Sequence, residues 1–272
     1  MNFELSSEQQ AFADAVRKFA AKELAPGALE RAHNPRYPWD IAAKLGEQGL
    51  LGIAFPEKDG GQGGTLMDAV IAIQEVALHC PKSADVVQAG NFGAIRTFVE
   101  YASEQQKEKY LPDLLAGRKI LGLGMSEPEA GSAVTELQTS AKKVDGGYLI
   151  NGSKVFSTHS PEAAVFLVYV RFGPGLDGIG SILVERGAEG LTVGQPNSFM
   201  SGEEWSQLYF EDCYISDDSV LLGPGGFKKQ ISGFNIERIG NSSRALALGR
   251  YAFLKAKEYA SVRKQFGKEI CE

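Results

Sequence analysis

The sequence is poor in the residues that build disulfide frameworks and metal centres. It contains 3 cysteines and 3 histidines among 272 residues. Cys80, Cys213 and Cys271 have no CxxC spacing, and an odd number of cysteines without that spacing is typical of a reducing compartment. We therefore predict neither a disulfide framework nor a metal site.

A basic surface and a long apolar segment are also missing. The formal net charge is −6, whereas proteins that coat nucleic acid carry clustered Lys and Arg. No run approaches the roughly 20 apolar residues that cross a membrane, and no basic stretch followed by an apolar one opens the chain. We expect no nucleic-acid partner, no membrane span and no secretory signal. The prediction is a cytoplasmic protein, or a processed mitochondrial matrix protein if the source is eukaryotic.

The remaining composition, 43% hydrophobic and 23% charged, is that of a folded globular protein. Its first part has helical patterning. Ser7 and Gln10 have capping-box spacing ahead of an amphipathic segment that runs to Pro26, and Pro38 precedes a second such segment. Further helices are predicted over residues 66–80, where Pro81 closes an apolar helix, and over 86–101 and 103–116.

Near residue 121 the pattern changes to short runs rich in Val, Ile, Tyr, Phe and Thr, separated by Gly, Asp and Asn. The clearest predicted strands cover residues 148–156, 164–172, 180–185 and 207–215. After residue 226 helical spacing returns, with small residues such as Gly240 and Ser243 that would allow close helix packing. Helices, then strands, then helices indicate an α+β fold, which we divide into domains at 1–118, 119–228 and 229–272.

A glycine motif at residues 173–178, Gly-Pro-Gly-Leu-Asp-Gly, matches GxGxxG. A dinucleotide-binding loop of this kind opens a helix. Here a strand pattern follows and a proline stands in the turn, so a hairpin loop is predicted instead. Because no Walker A loop or GxSxG elbow occurs, NTPase and hydrolase functions lose their main support.

The most informative segment is Leu-Gly-Leu-Gly-Met-Ser-Glu-Pro-Glu-Ala-Gly-Ser at residues 121–132. It predicts a strand that ends in a Pro/Gly loop, where backbone N–H groups and the hydroxyls of Ser126 and Ser132 can meet a polar ligand. An ordinary exit from a strand would have the same pattern. The residues alone leave both interpretations open.

This segment resembles the Thr-Glu-Pro-x-Ala-Gly-Ser flavin loop of the acyl-CoA dehydrogenase family. Similar family motifs occur in order at residues 55–61, 103–117, 147–154, 210–212 and 263–267. The resemblance covers the whole chain and implies an N-terminal helical domain, a central β-barrel or β-sandwich domain and the first helix of a C-terminal helical bundle. It also implies that the chain ends before that bundle is complete and should bind FAD poorly. If the 272 residues are the whole protein, we predict exposed apolar helix faces and low activity.

The resemblance further implies FAD-dependent α,β-dehydrogenation of an acyl-CoA, an electron-transfer flavoprotein as acceptor, and a homotetramer built as a dimer of dimers. It assigns FAD contacts to Leu123, Met125, Ser126, Ser132, Phe156, Ser157 and Thr158. Without the family, the residues alone favour a core aromatic role for Phe156. Ser132 would also lie near the CoA thioester arm. Arg263, Gln265 and Phe266 would reach the flavin pyrophosphate of a neighbouring subunit, although Arg263 could equally be a solvated charge at a helix end.

The chain departs from the family at three places. Phe-Ser-Thr-His-Ser at 156–160 replaces Trp-Ile-Thr-Asn-Gly, Ala133 replaces an acid, and Ser-Gly-Glu-Glu-Trp at 201–205 replaces Arg-Gly-Ser-x-Thr. These changes put the acyl group and the fine flavin contacts in doubt. They also leave open the alternative that the chain is a non-catalytic relative of the family that acts as a binding or scaffold protein. His159 has the alternatives of a site residue and an ordinary surface or hydrogen-bonded histidine.

Proton removal beside a thioester carbonyl calls for a carboxylate in a dry pocket. Family members similar to the isovaleryl and long-chain enzymes place that base at the position of Glu237, whereas most others place it beyond residue 272. The alternative for Glu237 is a helix-start carboxylate that serves the dipole and surface pairing. The resemblance assigns CoA contacts to Asn235 and Arg238, with a structural ion pair as the alternative role for Arg238.

Overall fold

The computed structural model of the chain describes residues 4–272, in which helices flank a mixed β-sheet. The helices are α1 Ser7–Phe19, α2 Ala28–His33, α3 Trp39–Glu47, α4 Leu66–Ala77, α5 Pro81–Ala89, α6 Ala94–Tyr101, α7 Glu104–Leu115 and α8 Phe227–Ala260. The strands are β1 Leu121–Gly124, β2 Ser140–Val144, β3 Gly147–Thr158, β4 Val165–Arg171, β5 Ile179–Glu185, β6 Leu191–Val193, β7 Asn197–Ser198, β8 Glu204–Ser216, β9 Val220–Leu222, β10 Lys264–Gln265 and β11 Lys268–Glu269. The α+β class is confirmed.

The cap of α1 lies one residue earlier than predicted. Ser6 is the N-cap, and its side chain and that of Gln9 form the capping box. The predicted pair, Ser7 and Gln10, was wrong because Ser6 is the residue that takes the extended backbone conformation, with φ −65° and ψ 163°.

The region predicted as a single helix over 86–101 is two helices, α5 and α6. Pro81 begins α5 as well as following α4, because its fixed φ suits the first helical turn. The break falls at Gly93, whose φ of 69° and ψ of −138° form a conformation that is essentially restricted to glycine. The prediction missed this break because apolar spacing continues across it.

The main sheet contains nine strands within the described residues, with the path β6-β8-β3-β2-β4-β5-β9. β1 pairs in parallel with β4, and β7 pairs with β8. β4 and β5 are antiparallel and joined across residues 173–178. The hairpin loop predicted there is therefore confirmed.

Strand β4 is buried on both faces, and its side chains alternate between two cores. Leu167 and Tyr169 belong to the cluster that packs against α6 and α7, whereas Phe166 and Val168 belong to the cluster on the other face. This period of two is the geometry of any strand. Because β1 pairs with β4, this packing fixes the position of the end of β1 relative to α6 and α7.

Helix α8 crosses α4, α5 and α6. A side-chain carbon at Gly240 would lie 2.8 Å from the Phe92 ring, and one at Gly233 would lie 2.4 Å from the Thr97 hydroxyl. Glycine is therefore required for this close approach. The outer face of α8 exposes Leu246, Phe253 and other apolar side chains. Within residues 4–272, no helix combines the length and apolarity needed to span a membrane.

Candidate active site

A cavity of about 640 Å³ lies where α5, α8 and the ends of β1 and β3 meet. Six of the residues assigned by the family resemblance line it: Leu123, Met125, Ser126, Phe156, Thr158 and Glu237. They come from three separate segments of the chain. The fold thus brings the loop after β1, the end of β3 and the start of α8 to one place.

The loop that follows β1 is held by a buried ion pair. Lys154 on β3 lies 2.7 Å from Glu127, and that carboxylate accepts the backbone N–H groups of Gln138 at 2.6 Å and Thr139 at 2.9 Å. Burial lowers the pKa of Lys154 to about 8, although Glu127 opposes the shift. A buried ion pair whose remaining hydrogen-bonding positions are satisfied fixes the local backbone geometry. The pair of Lys154 and Glu127 therefore positions Ser126, the neighbour of Glu127.

The end of β3 contains an irregularity that turns an aromatic ring towards the cavity. The pairing of β3 with β8 shifts register between Lys154 and Ser157, and a bulge of this kind redirects side chains. Phe156 has a φ of 56° and is 59% exposed, with its ring centroid 4.7 Å from that of Trp205. Ser157 is buried behind the wall and donates to the Leu123 carbonyl at 2.8 Å. It therefore joins β3 to β1 rather than lining the cavity.

Glu237 projects from α8 towards α5. Its Oε1 accepts from the Gln88 amide at 2.9 Å and from the Asn241 amide at 3.2 Å. Burial raises the pKa of Glu237 to about 7, although both amide hydrogen bonds oppose the shift. A carboxylate poised near neutral pH in a cavity is suited to general-base chemistry.

Beyond Glu237 the same cavity wall carries four ionisable side chains. The His159 Nε2 lies 2.9 Å from Asp85, and Arg244 contacts Asp85 and lies 3.2 Å from Glu203. Burial lowers the pKa of His159 to about 4, which favours the neutral imidazole. His159 is thus a largely covered residue rather than a surface one, with its side chain 12% exposed and its backbone N–H donating to the Glu204 carbonyl at 2.8 Å.

Sequence reasoning did not select Asp85, Gln88, Asn241 or Arg244. One signal was available, because Asp85 and Gln88 interrupt an apolar stretch at a spacing of three, and Asn241 and Arg244 repeat that spacing on α8. Residues three apart share a helix face. The departure noted at residues 201–205 pointed to the same wall, since it contains Glu203.

The other residues assigned by the resemblance lie away from the cavity wall. Ser132 is exposed on the loop after β1. Asn235 and Arg238 are exposed on α8 and hydrogen-bonded to each other. Arg263, Gln265 and Phe266 are exposed around the β10–β11 hairpin.

The cavity fits the ring system of FAD. Ligand pockets span roughly 300–1,000 Å³ and combine apolar walls with a few polar groups, and the volume here of about 640 Å³ falls in that range. Leu123, Met125 and Phe156 supply apolar and aromatic surface, and Ser126 and Thr158 supply hydroxyls. An isoalloxazine has an aromatic face and a polar rim, so this set of groups matches it.

Comparison with known proteins agrees with this geometry. The family descriptions "Acyl-CoA dehydrogenase, N-terminal domain", "middle domain" and "C-terminal domain" match residues 6–118, 122–213 and 224–272. The chain is 32% identical over 275 residues to the short-chain-specific acyl-CoA dehydrogenase of Clostridium acetobutylicum, with 99% of this chain and 73% of that protein covered.

A mitochondrial isovaleryl-CoA dehydrogenase of Oryza sativa subsp. japonica is 33% identical over 271 residues, with 97% of this chain and 66% of that protein covered. The solved structure of butyryl-CoA dehydrogenase from Megasphaera elsdenii is similar with a TM-score of 0.90 at 32% identity, and the match covers 100% of this chain and 73% of that one. The chain therefore belongs to the acyl-CoA dehydrogenase family of FAD-dependent oxidoreductases.

Proposed function

We propose that this chain catalyses the α,β-dehydrogenation of an acyl-CoA thioester, with Glu237 as the base. The observation that carries the proposal is the position of Glu237, whose carboxylate has a pKa of about 7 and shares one cavity with Ser126, Phe156 and Thr158. The catalytic base and the residues that contact the flavin must face the same substrate from different sides. The cavity provides walls for both.

In the reaction the Cα–H bond of the substrate breaks, and its proton passes to a carboxylate oxygen of Glu237. Bound FAD supplies the acceptor for the hydride that leaves Cβ, and a Cα=Cβ double bond remains in the product. Gln88 and Asn241 both donate to Oε1 of Glu237, so they hold the carboxylate in one orientation. Burial of Glu237 removes part of the water that would otherwise stabilise its charged form, which raises its pKa to about 7.

Further parts of the proposal follow from the family resemblance. Leu123, Met125, Ser126, Phe156 and Thr158 would hold the flavin ring. The exposure of Asn235, Arg238 and Ser132 leaves them accessible to the CoA arm, and that of Arg263, Gln265 and Phe266 leaves them accessible to a neighbouring subunit. We propose a homotetramer, an electron-transfer flavoprotein as acceptor, and a cytoplasmic or matrix location. The domain limits at 118 and 228 stay predictions.

The proposal is tested by loading the purified protein with FAD and adding straight-chain and branched acyl-CoA thioesters without oxygen. Bleaching of the visible flavin band and formation of the corresponding enoyl-CoA are the expected results. A protein that binds FAD and the thioesters but bleaches with none of them would be a non-catalytic relative. A protein that binds no FAD at any concentration would contradict the proposal altogether.

A further inference from the structure

Three aromatic side chains are in contact beside the cavity, on β3, on β8 and on the turn between β7 and β8. Phe156 and Phe199 line the cavity, whereas Trp205 lies next to it. The ring centroid of Trp205 is 4.7 Å from that of Phe156 and 5.9 Å from that of Phe199. Aromatic rings at such separations attract each other. Trp205 therefore supports two aromatic side chains of the cavity wall.

Phe156 depends on this support, because neither its backbone conformation nor its burial holds the ring. Its φ of 56° lies in a region that bulky residues rarely adopt, and conformations of this kind persist only where surrounding contacts fix them. The ring is 59% exposed, and Trp205 is its aromatic partner within residues 4–272. Without the indole, the Phe156 ring would be free to change its orientation in the cavity wall.

The position of Trp205 is itself fixed by the sheet. Its backbone pairs with Thr158 of β3 on one side and with Asn197 of β7 on the other. Residues directly opposite each other point to the same face of a sheet, so Trp205 shares with Thr158 the face that borders the cavity. The neighbouring pair, Ser157 and Ser206, is buried on the opposite face. Trp205 is thus a rigid base for the Phe156 ring.

Two departures from the family motifs complement each other in volume at this contact. Position 156 has the smaller phenylalanine where the motif has tryptophan, and position 205 has the larger tryptophan where the motif has threonine. The two rings lie against each other. The bulk that is lost on β3 is therefore replaced from the adjacent strand, β8.

We infer that Trp205 is a positioning residue of the flavin site, which holds Phe156 in the orientation that presents its ring to the isoalloxazine. This inference rests on the proposed function, which assigns Phe156 to the flavin ring. The changes at positions 156 and 205 are then a compensating pair. Together they preserve the aromatic wall of the site.

A double-mutant cycle tests this inference, with the Kd for FAD from a fluorescence titration as the readout. Trp205→Thr should weaken FAD binding by about fivefold, the effect of one lost aromatic contact. Adding Phe156→Trp to that variant should restore the Kd to within about twofold, because residues in contact are coupled. Trp205→Phe should keep the parent Kd, since a ring remains. The visible band of the bound flavin should shift in Trp205→Thr and return in the double variant, which a purely structural role would not produce.

Tyr209→Thr is the matched control, because Tyr209 is exposed on the same strand and does not line the cavity. It should change neither the Kd nor the visible band. Trp205→Leu keeps apolar bulk and replaces the threonine variant in the cycle if urea titration shows that variant to be unfolded. An unchanged Kd in the Trp205 variant, or no recovery in the double variant, would overturn the inference and leave the proposed dehydrogenation intact. Absence of FAD binding in the unmodified protein would contradict the proposed function instead.

Discussion

Replacing Glu237 by glutamine is expected to abolish turnover and, above neutral pH, to stabilise the folded protein. The folded pKa of about 7 lies above the ordinary value of 4.5, so the folded state binds this proton more tightly than the unfolded state does. The free energy of unfolding must therefore fall as the pH rises from about 4.5 to about 7. The difference between the two pKa values is about 2.5, and at about 1.4 kcal/mol for each tenfold change it corresponds to about 3.5 kcal/mol.

Glutamine carries no charge, so the variant does not pay this electrostatic cost, and its side-chain oxygen can still accept from Gln88 and Asn241. Urea unfolding of both proteins at about pH 5 and about pH 8.5 measures the effect. The variant should gain about 2–3 kcal/mol relative to the parent between the two conditions. Thioester-dependent flavin bleaching should fall by at least about a hundredfold, the usual contribution of a general base.

Glu258→Gln is the matched control, because Glu258 is exposed on the same helix and pairs only with Lys255 in the described residues. It should change neither the pH dependence of stability nor turnover, since exposed pairs contribute little. The reasoning about Glu237 would be refuted if its variant kept full bleaching activity. It would also be refuted if the stability difference between the variant and the parent were the same at both pH values.

Three further outcomes are expected. Lys154→Met should lower the free energy of unfolding by about 3 kcal/mol or more in urea titration, because Glu127 would remain buried without its cation. A loss below about 1 kcal/mol would show that the ion pair does not hold the loop after β1. Gly93→Ala should reduce kcat/KM by about tenfold or more, because the added carbon would lie 3.0 Å from Oε2 of Glu237 and because Gly93 has a φ of 69°. Unchanged kinetics would argue against that contact. Phe156→Ala should weaken FAD binding by about tenfold in a fluorescence titration. Because the ring is 59% exposed, the free energy of unfolding should change by less than about 0.5 kcal/mol. An unchanged Kd for FAD would show that Phe156 does not belong to the flavin site.

The sequence predicted the parts of the fold that local rules control. The helix over 103–116 and the strand over 164–172 were predicted from residue type and spacing, and α7 and β4 confirm them. The break at Gly93 was missed because the sequence does not reveal the φ angle that a glycine takes. The family motif around residues 121–132 carried the flavin assignment, which periodicity alone left open.

The geometry around Glu237 could not be predicted, because its partners are distant in sequence. Gln88 lies 149 positions before Glu237, and no spacing rule joins two helices that are separated by the whole central sheet. The pKa of Glu237 depends on that packing, as does the burial of His159. Ser157 was assigned to the flavin from its place in a family motif, and that place did not reveal that its hydroxyl donates to the Leu123 carbonyl of β1.

A crystal structure of the protein with FAD and a non-reactive acyl-CoA analogue tests the central claim most directly. We expect the isoalloxazine in the cavity beside Ser126, Phe156 and Thr158, with the Glu237 carboxylate facing the thioester Cα. A flavin bound elsewhere, or a Cα that faces a different carboxylate, would contradict this assignment of the site.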